Sequence, residues 1–321
     1  MQNMANPEVL IAEAIKMENT KSIYEYISKE MTFEKYGNIA ELYEKAGNIY
    51  KITDREKALE CFVKALNFYE KSKPMGEMYS GMQSKCYMLD IAELCEKNDY
   101  IKSIEFYEKI INYYMGQGDI TSVLKYYEII GKLYFANNVY EKAEEIFRKM
   151  LQIIGQNDKL SLYKKSACEK LCEMLIGFDM PNKYLEASLL YLDLANTYLS
   201  STLGSFSASK YIYLSILSLC AGEDFVKAKQ VYEEYSEKHF GFAKSSEGIF
   251  ITNLLEAIDM NNDDEIGSIC YERDKIRSLE GTEVKLLLKI KKNIAGQYDD
   301  LNNMNDLDNA NKSSEEEIDL C

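Results

Sequence analysis

One short pattern recurs five times along the chain: Lys57-Ala58-x3-Phe62, Lys102-Ser103-x3-Tyr107, Lys142-Ala143-x3-Phe147, Glu186-Ala187-x3-Tyr191 and Lys227-Ala228-x3-Tyr232. In every copy the small residue and the aromatic stand four apart, so on a helix they share a face one turn apart. A small side chain lets a neighbouring helix come close, and the ring fills the groove beside it. Successive small residues lie 45, 40, 44 and 41 positions apart. That is longer than the roughly 34 residues of a tetratricopeptide unit and suits two long antiparallel helices per repeat. Such units cannot bury their apolar faces alone and must stack. The expected fold is all-α: a tetratricopeptide-like right-handed superhelix of antiparallel helix pairs with a C-terminal helical bundle.

Turn residues fall where hairpins of that length need them. Pro7 suits the first turn of an opening helix, and a less regular stretch follows around Ser22 to Glu34. Phe33 to Tyr50 and Asp54 to Lys71 form the first pair, with Thr53 or Asp54 as the cap of the second helix. Further pairs are predicted at 75–96 with 98–115, 119–136 with 138–154, 159–177 with 181–199, and 205–220 with 223–238. After Phe242 the period lapses into shorter helices at Ile249 to Met260, Asp263 to Asp274 and Leu279 to Ile294, the last with Val284, Leu287 and Leu288 inward. The organisation read from these breaks is an N-terminal helical segment 1–34, a repeat array 35–242, a terminal bundle 243–295 and an acidic tail 296–321.

Composition removes several function classes. The formal charge of −15 argues against nucleic acid as the main partner, which would need a cationic footprint. The acidity is uneven, since residues 297–321 hold eight acids against Lys312 alone, leaving −8 for residues 1–296. A mildly acidic array can keep basic patches. The 26 Tyr, with no Trp, read as packing between helices. No segment approaches the ~20 apolar residues of a membrane span, and the first residues do not resemble a signal peptide. Scattered cysteines then read as reduced thiols of a cytoplasmic protein, and Cys168-x3-Cys172 as core, with no second pair to complete a zinc site. There is no Gly-rich phosphate loop, and His239 is the only histidine, so no base oriented by a third group is at hand. His239 reads as a helix C-terminal cap or a surface residue. Neither an enzyme nor a bound cofactor or metal is expected.

The C-terminal third carries a family resemblance. Leu254-Leu255-Glu256-Ala257, then Tyr271-x2-Asp274-x-Ile276-x-Ser278-Leu279, then Leu287-Leu288-Lys289-Ile290-Lys291-Lys292-x-Ile294 resemble the end of the soluble NSF attachment proteins (SNAPs). Phe206-Ser207-Ala208-x2-Tyr211, Val231-Tyr232-Glu233-Glu234 and the penultimate Leu320 agree with it. The likeness spans roughly 35–296 plus the tip. The terminal bundle is similar to the alpha type, while the long acidic tail ending Leu-Cys is closer to the gamma type. The apolar, Gly-containing N-terminal loop of the alpha type is not evident, and Ile23, Tyr24, Ile27 and Met31 are a loose substitute.

What the resemblance implies is an adaptor. It would grip an assembled SNARE four-helix bundle, dock the hexameric ATPase NSF and stimulate it to pull the bundle apart in vesicle trafficking. Its contact with membrane would be weak and peripheral, made largely through the SNAREs. SNARE bundles are acidic outside, so the gripping face needs cations and the ATPase end the opposite sign. Lys125 matches a family position for SNARE contact. Lys164, Lys165 and Lys170 form a second basic cluster, and Lys210 adjoins a third position, here Ser209. Glu256 and Asp259 match acidic positions facing the ATPase, with Glu223 or Asp224 as another. Leu320 would seat in a pocket of the stimulated motor. The competing reading is a generic helical-repeat scaffold for protein interaction, with no link to a disassembly ATPase.

Overall fold

Aspartates start many of the helices. Asp54, Asp99 and Asp224 each accept the backbone N–H three residues on, at Lys57, Lys102 and Lys227, every one at 3.1 Å. Asp119 does the same for Ser122 at 3.1 Å. An oxygen acceptor there satisfies one of the four orphan donors of a helix start. Three copies of the repeat therefore read Asp-x2-Lys-Ala/Ser-x3-aromatic, with the cap built into the motif.

The computed structural model describes residues 6–20, 29–73, 81–155, 160–200 and 205–296, with helices and no strand among them. In chain order the first are α1 (Pro7–Asn19), α2 (Lys29–Thr53), α3 (Arg55–Lys71), α4 (Met82–Cys95), α5 (Tyr100–Gln117), α6 (Ile120–Ala136) and α7 (Tyr140–Ile154). They are followed by α8 (Ser161–Gly177), α9 (Pro181–Leu199), α10 (Ser205–Ala221), α11 (Phe225–Lys238), α12 (Ser246–Asp259), α13 (Asp263–Ile276) and α14 (281–296). The predicted pairs are all present, with shifted ends. Helix α2 begins at Lys29, inside the stretch expected to be irregular, and α4 begins at Met82 rather than 75.

The chain forms two compact units, Met1–Met150 and Leu151–Cys321. In the first, α1 lies on α2, α2 pairs with α3, and packing continues from α3 through α4 and α5 to α6. Ala58, Ser103 and Ala143 are fully buried, as are Phe62 and Phe147. Glycine on the preceding helix makes the room for these rings. A Cβ on Gly47 would stand 3.1 Å from the Phe62 ring, and one on Gly131 would stand 2.7 Å from Phe147. Tyrosines hand their hydroxyls to carboxylates on neighbouring helices or turns: Tyr87 to Glu44 at 2.8 Å, and Tyr107 to Glu96 at 2.6 Å. Burial, reinforced by Glu96, holds the Tyr107 hydroxyl well above the usual phenol range. Both rings are packing, and the polar tips of Tyr87 and Tyr107 are satisfied.

In the second unit α10 is the central helix, packed on α9, α11 and α12. Every residue from Tyr211 to Ala221 is buried, as expected of a helix apolar on all sides. Ser188 and Ser215 satisfy each other across α9 and α10 at 2.7 Å. The fourth copy of the repeat is buried at Ala187 and Tyr191. In the fifth, Ala228 is buried while Tyr232 is half-buried and shares a 2.7 Å hydrogen bond with Thr252.

Two features of the terminal helices differ from the sequence reading. On α14 the inward stripe is Leu286, Leu287, Ile290 and Ile294. Val284 and Leu288 point out, 37 % and 64 % exposed. Positions 283, 287, 290 and 294 follow a helical stripe, which carries 284 and 288 off its edge. The core beneath is partly ionic. Arg273, 3 % exposed, pairs with Glu247 at 2.9 Å and lies over the rings of Tyr213 and Phe250. Arg277 pairs with the fully buried Glu283. Residues 297–321, including Ile318 and Leu320, lie outside the described residues, as do Ile23, Tyr24 and Ile27.

Candidate functional site

Lys125 projects from α6 between two pairs of buried side chains, Val123-Leu124 and Tyr126-Tyr127. Its ammonium lies 5.5 Å from the centroid of the Tyr126 ring and makes no ion pair among the described residues. Burial, with Tyr114 nearby, pushes the Tyr126 hydroxyl up to about 12. The charge of Lys125 also reaches Glu93 on α4. Burial raises that carboxyl above its ordinary value, while Lys51 and Lys125 oppose the rise. Lys125 is thus an exposed cation on a rigid, tyrosine-backed helix.

The other four candidate lysines lie in the second unit and differ in what holds them. Lys164 bridges α8 to α9, 2.8 Å from Asp193 and 3.0 Å from the Thr197 hydroxyl. Lys170 pairs with Glu173 at 2.7 Å. Lys210 pairs with Glu280 at 3.0 Å, across 70 residues of sequence. Its neighbour Ser209 is buried and stands 3.3 Å from His239 Nε2. Lys165 is exposed. The structure therefore commits Lys164, Lys170 and Lys210 to partners within the chain, whereas Lys125 and Lys165 make no ion pair among the described residues. Sequence periodicity carries no trace of those partners.

The acidic candidates gather at helix turns of the second unit. Residues with positive φ mark the turns between paired helices: Asn138 (61°), Asp179 (51°), Glu223 (65°) and Asn261 (49°). They lie 41, 44 and 38 positions apart, so the repeat has a backbone signature beside its side-chain one. Asn and Asp tolerate this conformation; glutamate does so at greater cost. Glu223 is exposed at such a turn, next to the capping Asp224. On α12, Glu256 and Asp259 stand three apart on the exposed face. Asp259 is held by Lys229 of α11 at 2.7 Å, while Glu256 makes no ion pair among the described residues.

Helix α14 is tied to the same turns. Asn293 donates to the Ala221 carbonyl at 3.0 Å, and Lys289 pairs with Asp179 at 2.8 Å. The Lys289 ammonium holds the Asp179 carboxyl below its ordinary value, against slight burial and with help from the Tyr184 hydroxyl at 2.9 Å. A depressed carboxylate stabilises the fold fully above its unfolded pKa of about 3.9, and that stabilisation fades as pH falls through the lower folded value. Amide protection of 281–296, corrected for intrinsic exchange, should therefore drop below about pH 3.9. Asp179→Asn should lower it already at neutral pH and remove this acid step. An unchanged pH profile in that variant would exclude the ion pair as the tether.

Other chemistry does not assemble. Among the described residues no group of three His, Cys, Asp or Glu could hold a metal, and no helix is long and apolar enough to cross a membrane. Cys168 and Cys172 are fully buried, and burial pushes the Cys168 thiol up to about 12. His239 caps α11, its N–H donating to the Tyr235 carbonyl.

Comparison with known proteins agrees with the resemblance read from the motifs. The family model described as "Soluble NSF attachment protein, SNAP" matches residues 5–295. A vesicular-fusion protein SEC17 from Komagataella phaffii is 26% identical over 308 residues, covering 92% of this chain and 98% of its own. The alpha-soluble NSF attachment protein of Saccharomyces cerevisiae is 23% identical over 93% of this chain and 100% of its own length. That of Mus musculus is 26% identical over 80% and 70%. A family match over nearly the whole sequence, on an all-helical chain with the expected repeat, makes this protein a member of the soluble NSF attachment protein family.

Proposed function

We propose that the chain is the adaptor through which NSF engages assembled SNARE complexes during vesicle fusion cycles, and that it acts by binding rather than catalysis. Lys125 and Lys165 meet the acidic outer surface of the SNARE bundle. Glu223, Asp224, Glu256 and Asp259 face the ATPase. The observation that carries this reading is the acidic edge of the second unit: an exposed glutamate in a left-handed turn, a capping aspartate beside it, and the acids of α12. Family membership supplies the partner, and the sign of the lysines at 125 and 165 suits the acidic outer surface of a SNARE bundle.

Mixing the protein with a purified four-helix SNARE complex, NSF and ATP tests the reading directly. SNARE disassembly should be rapid with the chain present and fall at least tenfold without it. A chain that binds the SNARE complex yet recruits no NSF would instead be a passive scaffold.

A further inference from the structure

The outer face of α14 is apolar along its middle and basic at its sides. Val284 and Leu288, 37 % and 64 % exposed, stand one turn apart and are therefore neighbours on that face. Half-buried Ala295 continues the row two turns on. Lys285 and Lys292 flank the row, both exposed and without an ion pair among the described residues. The lysines at the margins of the face are engaged elsewhere. Lys289 pairs with Asp179 at 2.8 Å, and Lys291 lies against α13, its ammonium 3.1 Å from where a Cβ on Gly267 would stand. Between those margins the strip lies open.

An apolar row between cations suits a cover that is apolar and acidic, and the chain carries one directly after α14. Residues 299–308 hold four aspartates and no base, with Leu301, Met304 and Leu307 spaced three apart. That spacing lets one helical turn after another present all three to the same side. The reach is sufficient. Five residues from Gly296 to Leu301 span up to about 17 Å, while Leu288 and Val284 stand about 12 and 18 Å back from Gly296 along the helix. We infer that residues 299–308 fold back along α14, with Leu301, Met304 and Leu307 covering Val284 and Leu288 and the aspartates meeting Lys285 and Lys292.

Two costs favour this segment over other occupants. The acids at the tip, Glu315 to Glu317, have the same sign but must close a much longer loop. The tail of a second copy could make the same contacts only near the millimolar effective concentration that a short tether supplies. The segment then acts as a strap. A protein that docks on the outer face of α14 has first to displace it. Salt loosens it, because the Debye length falls from about 10 Å at 0.1 M to about 3 Å at 1 M.

The strap needs neither a SNARE complex nor an ATPase, so the free full chain tests it. Carbodiimide treatment at low protein concentration should join Lys285 or Lys292 to an aspartate between Asp299 and Asp308 within one molecule, read by peptide mass. Tethering alone brings the tail past these lysines at times, and two variants set that background. Val284→Ser with Leu288→Ser removes the row; Leu301→Ser, Met304→Ser and Leu307→Ser together remove its cover. Both keep every lysine, every aspartate and the tether, and each should lower the yield at least tenfold. The tail variant changes only residues beyond α14, so a loss of helicity in the other does not shield the inference. Equal yields from the parent and the tail variant would overturn the strap and leave only chance encounters. Cross-links confined to Glu315–Glu317, or formed only between two molecules, would overturn it too and make the tip or a second copy the occupant.

Discussion

Gly248→Ala should unfold the second unit at markedly lower urea concentration than the parent protein. Gly248 sits three residues after the capping Ser245, whose hydroxyl accepts its N–H at 3.1 Å. A Cβ there would stand 2.1 Å from the Phe242 carbonyl oxygen and 2.8 Å from Ala243 Cα. Both are backbone atoms, and neither can step aside. The Phe242 carbonyl is held by the Ser245 N–H at 2.9 Å and the Ser245 hydroxyl at 2.6 Å, and the Phe242 ring is fully buried. Alanine would gain about 1 kcal/mol of helix propensity, but relieving the overlap means moving the start of α12 away from the Phe242–Ala243 backbone. The cost should exceed the gain, for a net loss of about 3 kcal/mol. Gly116→Ala is the natural control, because nothing lies within 4 Å of its Cβ and it is inside α5. That variant should be as stable as the parent or up to about 1 kcal/mol more so. Equal urea midpoints for Gly248→Ala and the parent would show that the close approach is not real.

Reversing Lys125 and Lys165 together should weaken binding to an assembled SNARE complex by tenfold to a hundredfold at low salt. Exposed pairs are worth about 0–1 kcal/mol each, but reversal replaces attraction with repulsion at both positions. At about 1.4 kcal/mol per decade of affinity, two such changes reach the stated range. The loss should appear mostly in the association rate and shrink as the Debye length falls from about 10 Å at 0.1 M salt to about 3 Å at 1 M. Lys164→Glu should behave differently. It would set like charges against each other at Asp193 and break the bond to Thr197, so it should loosen α8 from α9 as well as affect binding. Comparing urea midpoints with binding separates the two cases. If Lys125→Glu with Lys165→Glu bound the SNARE complex like the parent, neither lysine would belong to the contact face.

The helix pairs, their turns and the family were legible in the sequence because each is a local property. An apolar period, a capping aspartate and an asparagine or aspartate in a left-handed turn act within a few residues, and the repeat multiplies the signal. The Asp-x2-Lys-Ala/Ser-x3-aromatic form of that repeat was equally visible at Asp54, Asp99 and Asp224; its small residue is buried in all three, and its ring is buried at Phe62 and Tyr107 but only half-buried at Tyr232. What local pattern could not reveal is who meets whom across the fold. Lys210 and Lys165 are both lysines on helices, yet Glu280 engages the first from 70 residues away while the second stays exposed. Val284 and Leu288 are apolar neighbours of the α14 stripe and still face outward, because the position of the neighbouring helices decides which edge of a stripe is covered. Gly47, Gly131 and Gly248 likewise look alike in sequence to the unconstrained Gly116, and only the approach of another chain segment to within about 3 Å separates them. The sequence determined the elements and their order; tertiary contact decided which charges and apolar side chains remain available to a partner, since Coulombic pairing and close packing depend on distance in space.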